Sequence, residues 1–141
     1  MNNEYENVLY QLAKKAYKKE EVPVAAMIIN NQTGKIISKA YNSRKCSKLV
    51  TDHAEIKCVI AANKRLKQRI LDDCTLYVTL EPCEMCKTVL KESRIKNVYY
   101  LTNRNKTKKI YSKTEFAKID LKAEDETKYK QLLSSFFKKR R

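Results

Sequence analysis

The sequence predicts an α/β protein in which a mixed sheet of about five strands is covered by helices on both faces. Stretches with apolar residues at helical spacing alternate with short runs of β-branched and apolar residues, an order typical of layered α/β folds. The chain has 141 residues, 43% of them hydrophobic, which suits one domain with a packed core. We therefore expect residues 1–141 to form a single domain.

The first half of the chain is expected to form a helix, a hairpin and a second helix. Residues 4–19 place apolar side chains on one helical face. Two β-rich runs, 23–30 and 36–41, flank a turn at Gly34, which predicts a hairpin. Residues 53–67 again show apolar residues at helical spacing, so the second helix should begin near His53.

The second half is expected to continue the alternation. Residues 74–80 and 97–102 are short runs of β-forming residues. Between them, residues 83–93 predict a short helix with Pro82 at its start, where the missing N–H costs nothing. A further short strand is expected near residues 119–121. The last helix is the clearest, because apolar residues step by three and four at Tyr129, Leu132, Leu133, Phe136 and Phe137.

The chain is strongly basic, with 31 Lys and Arg against 16 Asp and Glu and a net charge of +15. Such a charge attracts polyanions, because each phosphate contacted releases counterions. A solubility surface would explain the same composition, so charge alone leaves both interpretations open. The basic run 138–141 supports contact with nucleic acid as a hypothesis. A polar amino-terminal stretch and short apolar runs predict a cytoplasmic protein with no membrane association.

The cysteines favour metal binding over disulfides. Five cysteines cannot all pair within one chain, and cytoplasmic thiols stay reduced. Cys83 and Cys86 lie three residues apart at a predicted helix start, where the helix dipole favours thiolates. By themselves they fit a redox pair, half of a structural zinc site or a chance spacing. We expect Cys46, Cys58 and Cys74 to be small apolar residues or exposed thiols.

His53 is the only histidine in the chain, and Glu55 follows it by two residues. Together with Cys83 and Cys86, His53 supplies three protein ligands, and three ligands with an open fourth position are the pattern of catalytic zinc. Glu55 would lie beside water at that position and carry its proton. The alternative is a structural zinc site in which Glu55 is an ordinary first-turn acid.

The combination His-x-Glu followed by Pro-Cys-x-x-Cys is the signature of zinc deaminases. Longer stretches carry a closer likeness: EVPVAA at 21–26, HAE at 53–55, TLYVTLEPCEMC at 75–86, SRI at 93–95 and LLSSFFKKRR at 132–141. On these residues the chain resembles the bacterial tRNA-specific adenosine deaminases, and the likeness covers most of its length. The resemblance implies a three-layer α/β/α cytidine-deaminase-like fold, one zinc ion per subunit and a homodimer.

The resemblance also implies an activity and a role for each site residue. The activity is the hydrolytic conversion of adenosine to inosine at the wobble position of the tRNA anticodon. Zinc binding falls to His53, Cys83 and Cys86, and proton transfer to Glu55. The residues implied to contact the substrate are Asn42 and the backbone near Ala54 for the base, and Lys106, Phe137 and Arg140 for the anticodon stem-loop.

One loop departs from that family. Residues 101–109 lack the expected glycines, and Arg104 stands where an aspartate is expected. The loop contacts RNA in the family, so the departure bears on the substrate and not on the zinc chemistry. Two other functions stay open: a deaminase of a free base or nucleoside such as cytosine or guanine, and a catalytically silent RNA-binding partner subunit. Glu55 argues against the silent subunit, which needs no proton shuttle.

Overall fold

The computed structural model describes residues 1–105 and 113–139 and, within them, contains five helices and four strands. In chain order the elements are α1 (Asn3–Lys18), β1 (Ala25–Asn30), β2 (Ile36–Tyr41), α2 (Arg44–Ser47), α3 (Ala54–Leu66), β3 (Cys74–Leu80), α4 (Glu84–Glu92), β4 (Asn97–Thr102) and α5 (Ala123–Lys138).

Most elements expected from the sequence are formed, with ends shifted by one or two residues. The short strand expected near residues 119–121 is not formed, so the described sheet has four strands and not about five. The side chains of Ile119 and Leu121 are exposed, so no burial of apolar surface stabilises an extended pairing there. α2 is an addition, because four residues are too few to show helical periodicity.

The sheet is mixed, with strand order β2-β1-β3-β4. β1 pairs antiparallel with β2, as the predicted hairpin requires, and antiparallel with β3, while β3 and β4 run parallel. The parallel pair needs a crossover connection, and α4 provides it. The carboxyl ends of β3 and β4 lie together, where the Glu81 N–H donates to Thr102 O over 2.8 Å. The loop before α4 is therefore beside the residues that directly follow β4.

β1 is buried along its length, and its alternating side chains divide the core into two clusters. Ala26 and Ile28 join one cluster with residues of α3, α4 and β3. Ala25, Met27 and Ile29 face the opposite way and pack against α1. Because side chains alternate across a strand, a strand buried in this way needs helices on both faces of the sheet. The predicted layering is therefore confirmed.

The chain divides into two compact units, Met1–Thr107 and Lys108–Arg141. The second unit contains α5, in whose first turn Glu126 pairs with Lys118 at 2.9 Å and with Lys130 at 3.4 Å. The last helix is confirmed, although its apolar residues Leu132 and Phe137 are exposed. That residues 1–141 form one domain stays a prediction. No helix among the described residues combines the length and the apolar composition that crossing a lipid bilayer requires.

Candidate metal centre and its surroundings

Two helix starts bring three metal-binding side chains together. His53 immediately precedes α3 and Cys83 immediately precedes α4, each in the extended conformation of an N-cap residue. Cys86 lies in the first turn of α4, on the side of Cys83, because three residues make nearly one helical turn. The Nδ1 or Nε2 atom of His53 and the two Sγ atoms all lie within 4.8 Å of one another. The three ligands predicted from the sequence therefore form a single cluster.

The distances within the cluster fit a tetrahedral zinc ion. His53 Nδ1 lies 3.6 Å from Cys83 Sγ and 3.3 Å from Cys86 Sγ. Zinc bonds of about 2.1 Å to nitrogen and 2.3 Å to sulfur, at a tetrahedral angle, separate the two donor atoms by about 3.6 Å. One nitrogen and two sulfur donors are also a donor set that zinc favours. Within the part of the chain that the structure describes, three protein ligands come together, which leaves the fourth position of a tetrahedral site open to another ligand.

Burial changes the protonation of these ligands. It lowers the pKa of His53, and the charges of Arg44 and Arg104 lower it further, which favours the neutral imidazole that binds metals. Burial, with the Glu55 carboxyl as the next cause, raises the pKa of the Cys86 thiol. Zinc must displace the thiol proton to bind, so the affinity for metal falls as the pH falls.

Glu55 lies in the first turn of α3 and is 3% exposed. Burial raises the pKa of its carboxyl, while hydrogen bonds from its backbone and from the Cys86 thiol, and the charge of Arg104, oppose that rise. Carboxyl groups are seldom this buried unless they are paired or functional. The structure places Glu55 beside the ligand cluster, which is where a group that transfers protons to the reacting molecule must lie.

Asn42 follows β2 and is 7% exposed. Its Oδ1 accepts a hydrogen bond from the Ala54 N–H over 2.7 Å, and its own N–H donates to Val24 O over 3.0 Å. The two groups implied to hold a base are thus brought together at the start of the helix that carries Glu55. In this structure the Ala54 N–H and Asn42 Oδ1 are hydrogen-bonded to each other.

Glu21 supports the site, although sequence analysis did not single it out. Its side chain is 7% exposed, and its carboxylate accepts hydrogen bonds from the N–H groups of Lys45 at 2.9 Å and Cys46 at 2.8 Å. Both N–H groups belong to the first turn of α2, whose N-cap residue Ser43 makes no side-chain cap bond. Glu21 therefore caps α2 from a distant part of the chain.

Lys57 is a second residue that sequence analysis did not single out. Its side chain connects α3 to the end of β2 by hydrogen bonds. Its Nζ donates to Tyr41 O at 3.0 Å and to Ser43 Oγ at 2.8 Å. Tyr41 and Ser43 are the two neighbours of Asn42 in the chain. The two hydrogen bonds therefore hold the Asn42 segment against α3.

Arg104, which belongs to the loop that departs from the family, contacts the residues before α4. Arg104 Nε donates to Glu81 O over 3.2 Å, and the Arg104 N–H donates to Glu81 Oε1 over 3.4 Å. The other carboxylate oxygen of Glu81 pairs with Lys87 at 3.6 Å. Because Glu81 precedes Cys83 by two residues, these contacts hold Arg104 at the edge of the candidate metal centre.

The contacts with RNA that the resemblance implies fall on Lys106, Phe137 and Arg140. Lys106 and Arg140 lie outside the described residues. Phe137 belongs to α5 in the second unit, where its ring meets Phe136 edge-on with centroids 5.5 Å apart. Contact of these three residues with RNA stays a prediction.

The other cysteines behave as expected. Cys58 and Cys74 are buried in the core cluster, and Cys46 is an exposed thiol. Burial raises the pKa of the Cys58 thiol to about 12 and that of Cys74 to about 11, so both stay protonated near neutral pH. Within residues 1–105 and 113–139, the only group of possible metal ligands is the one formed by His53, Cys83 and Cys86.

The layered fold and the His-Cys-Cys cluster define a zinc-binding protein of the deaminase class. Residues 2–102 match the family model described as "Cytidine and deoxycytidylate deaminase zinc-binding region". The chain therefore belongs to the family of cytidine and deoxycytidylate deaminases with this zinc-binding region. Zinc is the metal of that family, and the geometry of the cluster fits it.

Two curated relatives extend this result. The chain is 49% identical over 88 residues to a tRNA-specific adenosine deaminase of Aquifex aeolicus, a match covering 62% of this chain and 57% of that protein. It is 41% identical over 138 residues to a tRNA-specific adenosine deaminase of Buchnera aphidicola subsp. Baizongia pistaciae, covering 92% and 84%. The chain spans about three fifths of the length of several curated relatives that it matches.

Two solved structures share the fold. One, from studies of A-to-I editing by tRNA:A34 deaminases at the wobble position, has a TM-score of 0.70 and 32% identity, covering 73% of both chains. The other, guanine deaminase from Bacillus subtilis, has a TM-score of 0.76 and 26% identity, covering 95% of both chains. The predicted fold class is confirmed by these similarities.

Proposed function

We propose that this chain is a zinc-dependent hydrolase that converts adenosine to inosine at the first anticodon position of tRNA. The observation that carries the proposal is the buried Glu55 carboxyl beside the cluster of His53, Cys83 and Cys86. A structural zinc site needs no buried acid next to its ligands, whereas a hydrolytic deaminase needs one for proton transfer.

Each site residue then has one task. His53, Cys83 and Cys86 would hold zinc, which would supply the Lewis acidity that makes water a nucleophile near neutral pH. Glu55 takes a proton from the attacking water and delivers it to N1 of adenine as the C6–O bond forms. The proton of the new C6 hydroxyl then passes to the exocyclic amine, the C6–N bond breaks as C6=O forms, and ammonia leaves. The products of adenosine and water are inosine and ammonia, so the atoms balance.

The base and the RNA are held by other residues. Asn42 and the Ala54 backbone would hold an adenine that has left the base stack, exchanging their mutual hydrogen bond for bonds to the base. An anticodon loop offers bases that are already unpaired, which lowers the cost of extrusion. Lys106, Phe137 and Arg140 would contact the anticodon stem-loop.

The choice of tRNA is supported by similarity and by charge. Relatives from Aquifex and Buchnera carry that activity in their names, and the net charge of +15 suits a polyanionic substrate. The resemblance found in the sequence supports a cytoplasmic homodimer in which residues 1–141 form one domain, without a membrane partner.

A second candidate is a deaminase of free guanine. It is favoured by the guanine deaminase structure, which covers 95% of both chains. The same ligands and Glu55 would serve that reaction, because the chemistry at the ring carbon is the same. The two candidates differ in whether the site must accept a base attached to RNA.

The test is product formation by the zinc-loaded protein. Unmodified tRNA with adenosine at the first anticodon position is incubated with wild type and with Glu55→Gln, which keeps the side-chain shape and removes the acid. We expect inosine at that position with wild type and a rate lower by roughly 10²–10⁴-fold with the variant, with zinc and RNA still bound. Cys83→Ala should lower zinc content below that of wild type.

The alternatives give different results. Xanthine formed from guanine, with no inosine in tRNA, would select the second candidate. Zinc and RNA binding without either product would indicate a silent subunit. An active Glu55→Gln variant would contradict the assigned role of the carboxyl.

A further inference from the structure

One lysine connects the first turn of α3 to both chain neighbours of the asparagine assigned to the base. Lys57 lies three residues after Ala54, so the two residues share a face of α3. Its Nζ donates to Tyr41 O, just before Asn42, and to Ser43 Oγ, just after it, over 3.0 and 2.8 Å. The same Nζ lies 5.2 Å from the centroid of the Tyr41 ring. Lys57 therefore spans the Asn42 position by contacting the residue on each side of it.

These contacts fix the backbone at Asn42 and leave its side chain able to turn. The Asn42 N–H donates to Val24 O over 3.0 Å, and the carbonyl of the preceding Tyr41 accepts from Lys57. The side chain meets α3 through Oδ1, which accepts the Ala54 N–H over 2.7 Å. An adenine that takes over the Asn42 amide and the Ala54 N–H therefore requires a rotation of one side chain and no movement of the backbone.

The charge of Lys57 is directed at this segment and not at an acid. Within residues 1–105 and 113–139, no carboxylate forms an ion pair with Lys57. An apolar side chain would fill the same half-buried position of α3 without the cost of partly desolvating an ammonium group. The ammonium instead provides two hydrogen bonds from a charged donor, and such bonds are stronger than bonds between neutral groups.

A base-binding group that is already in place lowers the cost of binding. The free energy of ordering a segment is subtracted from the binding free energy whenever the segment is mobile before the ligand arrives. A displacement of about 1 Å at a group that orients the reacting molecule can lower the rate by roughly 10²-fold. A residue that fixes the backbone at Asn42 therefore affects the reaction without contacting the reacting atoms.

We propose that Lys57 is a positioning residue that keeps the Asn42 amide and the Ala54 N–H at the spacing by which they hold the target base. This role rests on the proposed function and adds to it a residue that acts through Asn42. Lys57 keeps the two base-holding groups in place while their mutual hydrogen bond is exchanged for bonds to the base.

The test is a double-mutant cycle on the single-turnover rate of inosine formation. The zinc-loaded full chain, in excess, is mixed with an anticodon stem-loop that carries adenosine at the first anticodon position. Lys57→Met and Asn42→Ala should each lower the rate by roughly 10–10²-fold. The double variant should be no slower than Asn42→Ala, because no base-holding side chain is then left for Lys57 to place. Rates are measured well below the lowest Tm of the set, so that lost stability does not enter them.

Three further variants separate positioning from a general loss of structure. Lys57→Arg keeps a charged donor and should restore most of the rate. Ser43→Ala removes one of the two acceptors and no helix cap, since Ser43 makes no side-chain cap bond, and should lower the rate less than Lys57→Met does. Lys19→Met is the matched control. The exposed Lys19 donates to the hydroxyl of Tyr41 over 2.8 Å, at the far end of the same side chain, so its loss should leave the rate unchanged.

A second readout follows the base itself and does not depend on the reaction. The stem-loop then carries 2-aminopurine at the first anticodon position, whose fluorescence rises when the base leaves the stack. Wild type should raise the fluorescence at saturating protein. Lys57→Met and Asn42→Ala should reduce that rise to a similar extent, with the affinity for the stem-loop unchanged, because the contacts with the RNA backbone are made by other residues.

Each remaining outcome has one meaning. A Lys57→Met variant that loses stability but keeps the wild-type rate and fluorescence would make Lys57 a structural residue only and overturn the proposal. Equal factors for Lys57→Met in the wild-type and Asn42→Ala backgrounds would also overturn it, because Lys57 would then act independently of Asn42. The expected fluorescence pattern in a protein that forms no inosine would refute the proposed reaction and leave the positioning role standing. No fluorescence change with wild type would overturn the positioning role.

Discussion

Replacing Glu21 with glutamine should destabilise the loop that carries Arg44. The Glu21 carboxylate accepts two N–H groups, from Lys45 and Cys46, with both of its oxygens. Glutamine offers one oxygen and one NH₂ group, so one hydrogen bond is lost and two donors face each other. A hydrogen bond to a charged group contributes roughly 1.5–3 kcal/mol, and the site is nearly buried, so we expect the free energy of unfolding to fall by about 2 kcal/mol.

The assay is thermal unfolding of the zinc-loaded protein, combined with amide hydrogen exchange. For a chain of this length about 4 °C accompanies each kcal/mol, so Tm should fall by about 8 °C. Exchange should accelerate at the Lys45 and Cys46 amides, because α2 has only four residues and loses its cap.

Glu20 supplies a matched control with the same charge and an adjacent position. Its carboxylate pairs with Lys45 at 3.3 Å, but the side chain is 81% exposed. An exposed ion pair contributes about 0–1 kcal/mol, so Glu20→Gln should change Tm by less than about 4 °C. Equal Tm values for the two variants, or unchanged exchange at the two amides of α2, would refute the assignment of Glu21 as a buried cap.

Two further predictions concern the core and the Asn42 segment. At pH 8 a thiol with a pKa of about 12 is thiolate in about one part in ten thousand, so iodoacetamide should modify exposed Cys46 and spare Cys58 in the native protein. Intact-mass and peptide analysis measures the modification of each cysteine. Modification of Cys58 with Cys46 left unmodified would contradict the prediction. Lys57→Met removes the bonds to Tyr41 and Ser43 and should lower stability by about 2 kcal/mol with zinc content unchanged. An unchanged melting temperature would contradict this.

Much of the fold was predictable because it depends on local patterns. The first and last helices follow from apolar spacing, and the hairpin follows from two β-rich runs around Gly34. The expected strand at 119–121 was wrong, because three residues carry too little pattern to separate a strand from an irregular segment. α2 was missed for the same reason, since its stability comes from Glu21 and not from its own residues.

The ligands of the candidate metal centre were also predictable, because covalent spacing determines their geometry. Cys83 and Cys86 are three residues apart at a helix start, so any helix there brings both sulfurs to one side. His53 was the only histidine available to complete the set. Residue types and short spacing were therefore enough to predict which side chains cluster, while metal binding by them and proton transfer by Glu55 stay predictions.

What the sequence by itself determined is the order of helices and strands and the identity of groups that act within one helical turn. Only the tertiary structure decided which distant residues support them. Glu21 reaches α2 across 24 positions and Arg104 reaches Glu81 across 23. The second contact exists because β3 and β4 run parallel and end at the same edge of the sheet. Strand order and direction depend on the burial of the whole core, and no local spacing encodes them.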